Sequence, residues 1–433
     1  MNALSHWTHT HFILGKLLSI MKENDRTITL FTMVGHATFH LYEMVIPLFV
    51  VIWLNEFDIS AAVLGAVVAV GYGMIGVGAL PSGSLADRYG SKRLVVLSMG
   101  GMAGGFALIS VAPTIWVLSV ALVLWGAAAS LYHPAGLSLI TRGTNQQGTA
   151  LAYHGVAGNV GTAIGPLAAV LLFTVLDWRF VAGLLIVPAL IGVLIASRLT
   201  FDERREISSK KDNAVANQPS GLRKFLERSK MLLVGGFIVA FAIAMLAGTY
   251  YRGVFTFLPE ILADLPVFGS VEIAGEPIES SQYVYAGLLL IGGLGQYVGG
   301  KLSDYRSPEW AISGVFTTLI LISLLFPFFA DAGLVATLVI CAALGFFVFM
   351  EAPIHQALIG KYTAADIHGL SFGYTYLGVF GLGAAGASIA GIVLTYGGTS
   401  LLFTTLAIFP VIGLILAGHL IIRNQERGEK VVP

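Results

Sequence analysis

Charge is scarce in this chain. Of 433 residues only 11% are Asp, Glu, Lys or Arg, while 56% are hydrophobic and the mean hydropathy is +0.83. A water-soluble domain carries about 25% charged residues, so a soluble fold is excluded and a lipid bilayer is the expected surrounding. Cysteine is nearly absent as well. Cys341 stands alone, so no disulfide can close within the chain and nothing points to a thiolate metal site. No phosphate-cradling G-x-x-x-x-G-K-S/T loop occurs, so ATP is not indicated as the energy source. His36-Ala37-Thr38-Phe39-His40 has helical metal-ligand spacing but lacks the second-position Glu of a zinc protease. Enzymatic activity, a metal, a cofactor and a nucleic-acid partner are therefore not expected. The first residues also lack the apolar core and cleavage site of a signal peptide. Met1 to Arg26 reads as a weakly amphipathic lead, with Met21 as an alternative start.

What the chain does have is apolar runs of about 20 residues, enough for a helix to cross roughly 30 Å of hydrocarbon. Twelve such runs fall at 29–54, 60–81, 92–112, 115–140, 149–173, 179–200, 231–258, 281–300, 309–330, 333–359, 370–395 and 400–421. They predict an all-α integral membrane protein of twelve transmembrane helices. Residues 1–28 form an N-terminal lead, 29–200 a six-helix bundle, 201–230 a polar linker, 231–421 a second six-helix bundle and 422–433 a tail.

With a cytoplasmic N-terminus, 22 of the 24 basic residues fall in cytoplasmic segments or at cytoplasmic helix ends, the exceptions being Arg179 and Arg252. The opposite loops carry Glu56, Asp58, Asp177, Asp264, Glu272, Glu276, Glu279 and Asp331. Lys and Arg concentrate on the cytoplasmic side of membrane proteins, so both termini and the linker are expected there, in the plasma membrane.

The two bundles repeat one another. Asp87 recurs as Asp304, and a shift of 219 lays Gly126 on Gly345, Pro134 on Pro353, Leu139-Ile140 on Leu358-Ile359 and Arg142 on Lys361. The first copy contains a charged, glycine-bounded turn between the second and third runs, Gly83-Ser84-Leu85-Ala86-Asp87-Arg88-Tyr89-Gly90-Ser91-Lys92-Arg93. A weaker echo stands at Gly300 to Arg306.

That turn resembles the signature loop of the major facilitator superfamily: glycine, three residues, Asp-Arg, one residue, glycine, then basics. Ser91 departs from the usual basic residue, and the second copy lacks the closing glycine and basics. Tyr132-His133-Pro134 and the Gly158-to-Pro166 stretch are further similar to the fosmidomycin-resistance group of exporters. The resemblance spans essentially the whole chain. It implies that helices one, four, seven and ten line a central cavity, and that five pairs with eight and two with eleven across the interface between halves. Gly158, Gly161, Gly165 and Pro166 would then serve interface packing, and His154, on the same smooth face, would not meet substrate. Gly83, Asp87, Arg88, Gly90, Arg93 and Asp304 would form a gating loop, with Asp87 facing the positive end of a helix in the opposite half.

An ionisable side chain within hydrocarbon costs about 2.5 to 3.5 kcal/mol on insertion scales and marks a functional site. Glu43, Arg252 and Glu351 qualify. His36, His40 and Glu43 stand at i, i+4 and i+7, on one helical face. Burial disfavours a carboxylate's charge, so this stripe could load and release protons. Alternatively, it makes structural hydrogen bonds between helices. Glu351 and His355 are also i and i+4, beside Pro353, and His133 adjoins Pro134. Each proline deprives a carbonyl four residues back of its helical partner. Arg252 needs an acceptor if buried; Glu43, a substrate anion or a carbonyl would serve, while snorkelling to the surface is the alternative.

These features predict a secondary transporter, monomeric, exporting a small organic or drug-like molecule in exchange for protons by alternating access. Alternatives are uptake or facilitated passage of an organic anion with Arg252 as counter-charge, or a receptor or scaffold that no longer transports.

Overall fold

The computed structural model describes residues 21–203, 222–268, 270–273, 276–363 and 368–428. Most of the N-terminal lead, the middle of the linker and the end of the tail lie outside the described residues.

The membrane helices follow the apolar runs. They are α1 (Glu23–Glu56), α2 (Ala61–Tyr89), α3 (Ser91–Ser110), α4 (Ile115–Ala129 and Tyr132–Gly143), α5 (Gln147–Phe173) and α6 (Trp178–Leu184 and Ile186–Arg198). The second half gives α7 (Gly235–Ala263), α8 (Ser280–Tyr305), α9 (Pro308–Asp331) and α10 (Leu334–Lys361). α11 comprises His368–Tyr376, a π-helical segment Leu377–Leu382 and residues 385–397; α12 comprises 399–426. The last two run on without a loop. Gly398 at φ 72°, a conformation that suits only glycine, makes the bend between them. α8 is less apolar than the others, with Gln282, Gln296 and several tyrosines and glycines along its length.

Two features depart from the sequence reading. α1 starts six residues before the first apolar run. Its extra turn carries Asp25, a fully buried carboxylate that accepts from the backbone N–H groups of Asn145 (2.9 Å) and Gln146 (3.0 Å). Those are orphan donors at the start of α5, so a charge outside the hydrocarbon span fastens α1 to the α4–α5 turn. Between α7 and α8 the chain also forms an antiparallel hairpin, β1 (Ser270–Ile273) with β2 (Glu276–Glu279), pairing Ser270 with Glu279. A short amphipathic helix, Leu222–Leu232, precedes α7.

Within the first half α1 packs on α5 and α4 on α2 and α3; in the second, α8 and α9 pack on α10 and α9 on α12. The halves meet where α2 crosses α11, α1 meets α7 and α5 meets α8. The glycines of α2 serve that crossing. A Cβ on Gly65 would stand 2.6 Å from the Ala387 carbonyl, and Gly76 sits on the Gly381 backbone, so no larger residue fits there without separating the helices. The Ala62 N–H donates to Thr395 Oγ1 at 2.9 Å along the same seam.

The helix-five glycines do something else. Gly158 faces the His36 ring, Gly161 the Ala37 backbone and Gly165 the Leu41 backbone and side chain, all on α1. Gly292, Gly295 and Gly299 of α8 likewise press on Phe349, Phe346 and Met350 of α10. These stripes therefore pack inside each half, which differs from the expectation that they face each other across the interface. A small-residue face permits close backbone approach but does not name its neighbour.

Candidate functional site

Glu43 lies near the middle of α1, one turn before Pro47. Proline has no N–H, so the Glu43 carbonyl loses its helical donor, and the Tyr72 hydroxyl of α2 donates to it at 3.0 Å. The next carbonyl, Met44, accepts from Tyr285 of α8 at 3.2 Å, a bond between the halves. Pro47 thus frees the Glu43 carbonyl for Tyr72, and Tyr285 of the other half bonds the adjacent Met44 carbonyl.

The Glu43 side chain is 2% exposed. One carboxylate oxygen forms an ion pair with the Arg252 guanidinium of α7, so the charge pair also joins the two halves. Arg252 is buried, turned inward rather than snorkelling. It lies 3.8 Å from the centroid of the Tyr72 ring and within 5.4 Å of those of Tyr251 and Phe380. A guanidinium stacks on aromatic faces while bonding a carboxylate in its plane, so the aromatic frame and the acid act together. Tyr72, Tyr251 and Phe380 carried no polar-site signal in the sequence, since aromatics at helical spacing read equally well as core.

The other Glu43 oxygen meets His40 Nδ1 at 2.7 Å. His40 Nε2 meets His36 Nε2 at 3.1 Å, and His36 Nδ1 meets the His154 carbonyl at 2.6 Å. A carbonyl only accepts, so His36 Nδ1 donates, its Nε2 is bare when the ring is neutral, and His40 Nε2 donates to it. One proton must then lie between His40 Nδ1 and the Glu43 carboxylate. Glu43, His40 and His36 thus form one continuous hydrogen-bonded path.

His133 of α4 joins this group. Its ring is 5.2 Å from that of His36 and 4.4 Å from Phe39, and Tyr376 of α11 stacks on it at 4.9 Å. α4 is interrupted at Ser130 and Leu131, four and three residues before Pro134, whereas α10 runs unbroken through the repeat partner Pro353. His154 stacks on His36 at 3.8 Å and contacts the Tyr132 hydroxyl at 3.1 Å. Gly158, one turn on, leaves the room that the His36 ring fills.

Glu351 and His355 of α10 stay apart from this cluster. His355 Nδ1 reaches both Glu351 oxygens at 3.0 Å, and the pair's hydrogen bonds are only to each other among the described residues. Glu351 lines a small pocket with Tyr250, Tyr251, Phe316 and Pro410, inside the second half. His133 and Glu351 are thus sequence neighbours in the repeat but occupy different settings.

The signature loop sits at one end of the bundle. Gly90, at φ 90°, ends α2 and starts α3. The Ser91 N–H donates to Glu203 at 2.7 Å, the carboxylate occupying the positive end of α3. Asp87 bonds Arg142 of α4, in its own half, at 2.5 Å rather than the helix of the opposite half, while Arg88 lies over the Tyr89 ring. Asp87, Gly90, Arg142 and Glu203 line a cleft of about 570 Å³. Arg93 and Asp304 make no ion pair among the described residues. Lys361, the repeat partner of Arg142, reaches Glu309 of α9 at 2.7 Å, so both halves fasten the end of their fourth helix through a basic residue.

Two six-helix bundles joined at mid-depth by a buried charge pair define a multi-pass membrane protein of the solute-carrier kind. The chain belongs to the Major Facilitator Superfamily, whose family model matches residues 32–385. It is 21% identical to the Fosmidomycin resistance protein of Escherichia coli (strain K12) over 76% of this chain and 77% of that one. It is 28% identical to the Multidrug resistance protein MdtH of Klebsiella pneumoniae (strain 342), over 29% and 31% of the two chains. Among solved structures, a bacterial homologue of the human lysosomal transporter Spinster superposes with a TM-score of 0.69 at 15% identity. That match covers 92% of this chain and 97% of the other.

Proposed function

We propose that this protein exports a small organic or drug-like molecule in exchange for protons, by alternating access, from a plasma membrane in which both termini are cytoplasmic. The observation that carries the reading is the Glu43–Arg252 pair. Its partners sit in opposite halves, so rocking the halves apart separates them. Leaving a buried charge without its partner costs about 3–5 kcal/mol. The separated state therefore favours replacement partners: a proton for Glu43, and a polar or anionic group of the substrate for Arg252. His40, on the other Glu43 oxygen and partly exposed, supplies the proton's route. The names of the relatives, which concern drug resistance, support export, and the distribution of lysine and arginine supports the orientation.

A second reading, uptake of an organic anion, draws on the aromatic frame of Arg252, which suits a planar carboxylate or phosphate as well as it suits Glu43. The two are separated by expressing wild type and Glu43→Gln in a drug-sensitive bacterium. Export predicts that wild type raises tolerance to at least one compound of a panel and that the variant does not. Uptake predicts lowered tolerance or increased accumulation.

A further inference from the structure

The three histidines around His36 are arranged as ligands. His36 and His40 stand one turn apart on α1, and candidate ligand atoms of His36, His40 and His133 all lie within 4.8 Å of one another. The rings of His36 and His40 are held from behind. His36 Nδ1 donates to the His154 carbonyl at 2.6 Å, and His40 Nδ1 meets a Glu43 oxygen at 2.7 Å. A metal-binding histidine usually has its second nitrogen fixed in this way, by a backbone carbonyl or a carboxylate. The two remaining Nε2 atoms face each other at 3.1 Å. Nitrogens of a tetrahedral zinc site, each about 2.0–2.1 Å from the ion, stand roughly 3.3 Å apart. His133 adds an independent sign. Its Nε2 is buried with no hydrogen-bond partner, in a residue only 6% exposed. Buried polar atoms are nearly always satisfied, so this nitrogen calls for a ligand. Its side chain is on α4, which brings the third imidazole from a separate helix.

We infer that His36, His40 and His133 form a three-imidazole site for a divalent transition-metal ion of the zinc type. Three histidines without a thiolate suit zinc, copper or nickel rather than calcium or magnesium, which take oxygen ligands. The neighbouring charged and titratable groups are Glu43, His154 and Arg252; of these Glu43 orients His40 and the His154 carbonyl orients His36. His40, with 22% of its side chain exposed, is the accessible edge through which an ion can enter. The ion would take the place of the proton in the His36–His40 hydrogen bond; that proton passes to solvent at the exposed edge of His40 and leaves both Nε2 lone pairs free to ligate. The site shares His40 with the proposed proton route but does not rest on that reading, because binding is measured at equilibrium with no solute moved.

The test uses the full chain purified without a polyhistidine tag, stripped with a chelator and dialysed against Zn²⁺ or Co²⁺ in detergent. The expected result is one ion per chain, with X-ray absorption placing nitrogen ligands at about 2.0–2.1 Å and imidazole scattering beyond them. His40→Ala and His133→Ala should each weaken binding at least about tenfold, whereas His355→Ala, in the second half, should leave it unchanged. Wild-type chain that retains no ion, or an ion bound through oxygen alone, would overturn the assignment whether or not the variants fold. Equal binding by folded His133→Ala and wild type would overturn it too.

Discussion

Arg252 on α7 and Glu43 on α1 form a buried ion pair that ties one half of the protein to the other. Their attachment is supported on the same stretch of α1 by Tyr72 and Tyr285, which occupy the carbonyls around Pro47. The first consequence concerns stability. Arg252→Ala should lower it by about 3–5 kcal/mol, because the Glu43 charge is left buried with His40 as its only counterpart. The double variant Glu43→Leu with Arg252→Met should recover most of the loss, since replacing both ends of a buried pair by apolar groups is often neutral. Thermal unfolding in detergent checks both. A double variant as unstable as the sum of its singles would mean that the two groups do not act as a pair.

Gly158 and Gly104 provide a contrast in packing. A Cβ on Gly158 would stand 2.5 Å from His36 Cε1, whereas one on Gly104 meets nothing within 4 Å. Gly158→Val should destabilise the protein by about 1–3 kcal/mol through overpacking and displace His36. Gly104→Ala should be neutral or slightly stabilising, as removing a glycine from a helix interior contributes about 0.5–1 kcal/mol. Equal melting temperatures for the two would contradict the α1–α5 packing.

These residues also show how far the sequence can be read. The twelve passes and the repeat are legible because hydrocarbon demands long apolar helices and because Pro134 and Pro353 keep matching positions. The grouping of His36, His40 and Glu43 is legible from helical spacing on one element. Long-range partners are not. Arg252 has three plausible acceptors in the sequence, and only the packing of α1 against α7 selects Glu43, 209 residues away. His133 joins His36 and His40 by the same kind of contact between helices, so spacing along α1 alone could not suggest three imidazoles. The glycines of α5 announce a close neighbour without saying that it is α1. Asp25 precedes the first apolar run and Glu309 is the first residue of the ninth, yet both are fully buried by the loops and helix ends around them.

Glu309 has a structural role that can be measured. One of its oxygens accepts from Lys361 (2.7 Å), Tyr362 (2.6 Å) and Asn424 (3.0 Å), joining α9, the end of α10 and α12. Hydrogen bonds to a charged group contribute about 1.5–3 kcal/mol, so Glu309→Ala should lower the unfolding midpoint clearly while Glu309→Gln lowers it less. A Gln variant as damaged as Ala would show that charge, not hydrogen bonding, sets the contact.

At the signature loop, Asp87 and Arg142 form a pair whose carboxylate side chain is 65% exposed. Exposed pairs contribute about 0–1 kcal/mol, so Asp87→Asn should hardly change stability. If the loop between α2 and α3 acts as a gate in the proposed alternating-access cycle, the effect of the substitution falls on turnover. Transport in proteoliposomes should slow with the apparent substrate affinity kept. Loss of binding would place Asp87 in the substrate site instead of the gate.

The most direct test of the account is proton release on substrate binding. A solute that raises the melting temperature of the purified protein is first found by screening a library at two pH values. That solute is then added to weakly buffered protein in detergent while pH is recorded. Wild type should release protons as the solute binds, and Glu43→Gln should bind it with no release. Proton release from Glu43→Gln equal to that of wild type would contradict the assignment of Glu43 as the residue that exchanges substrate for proton.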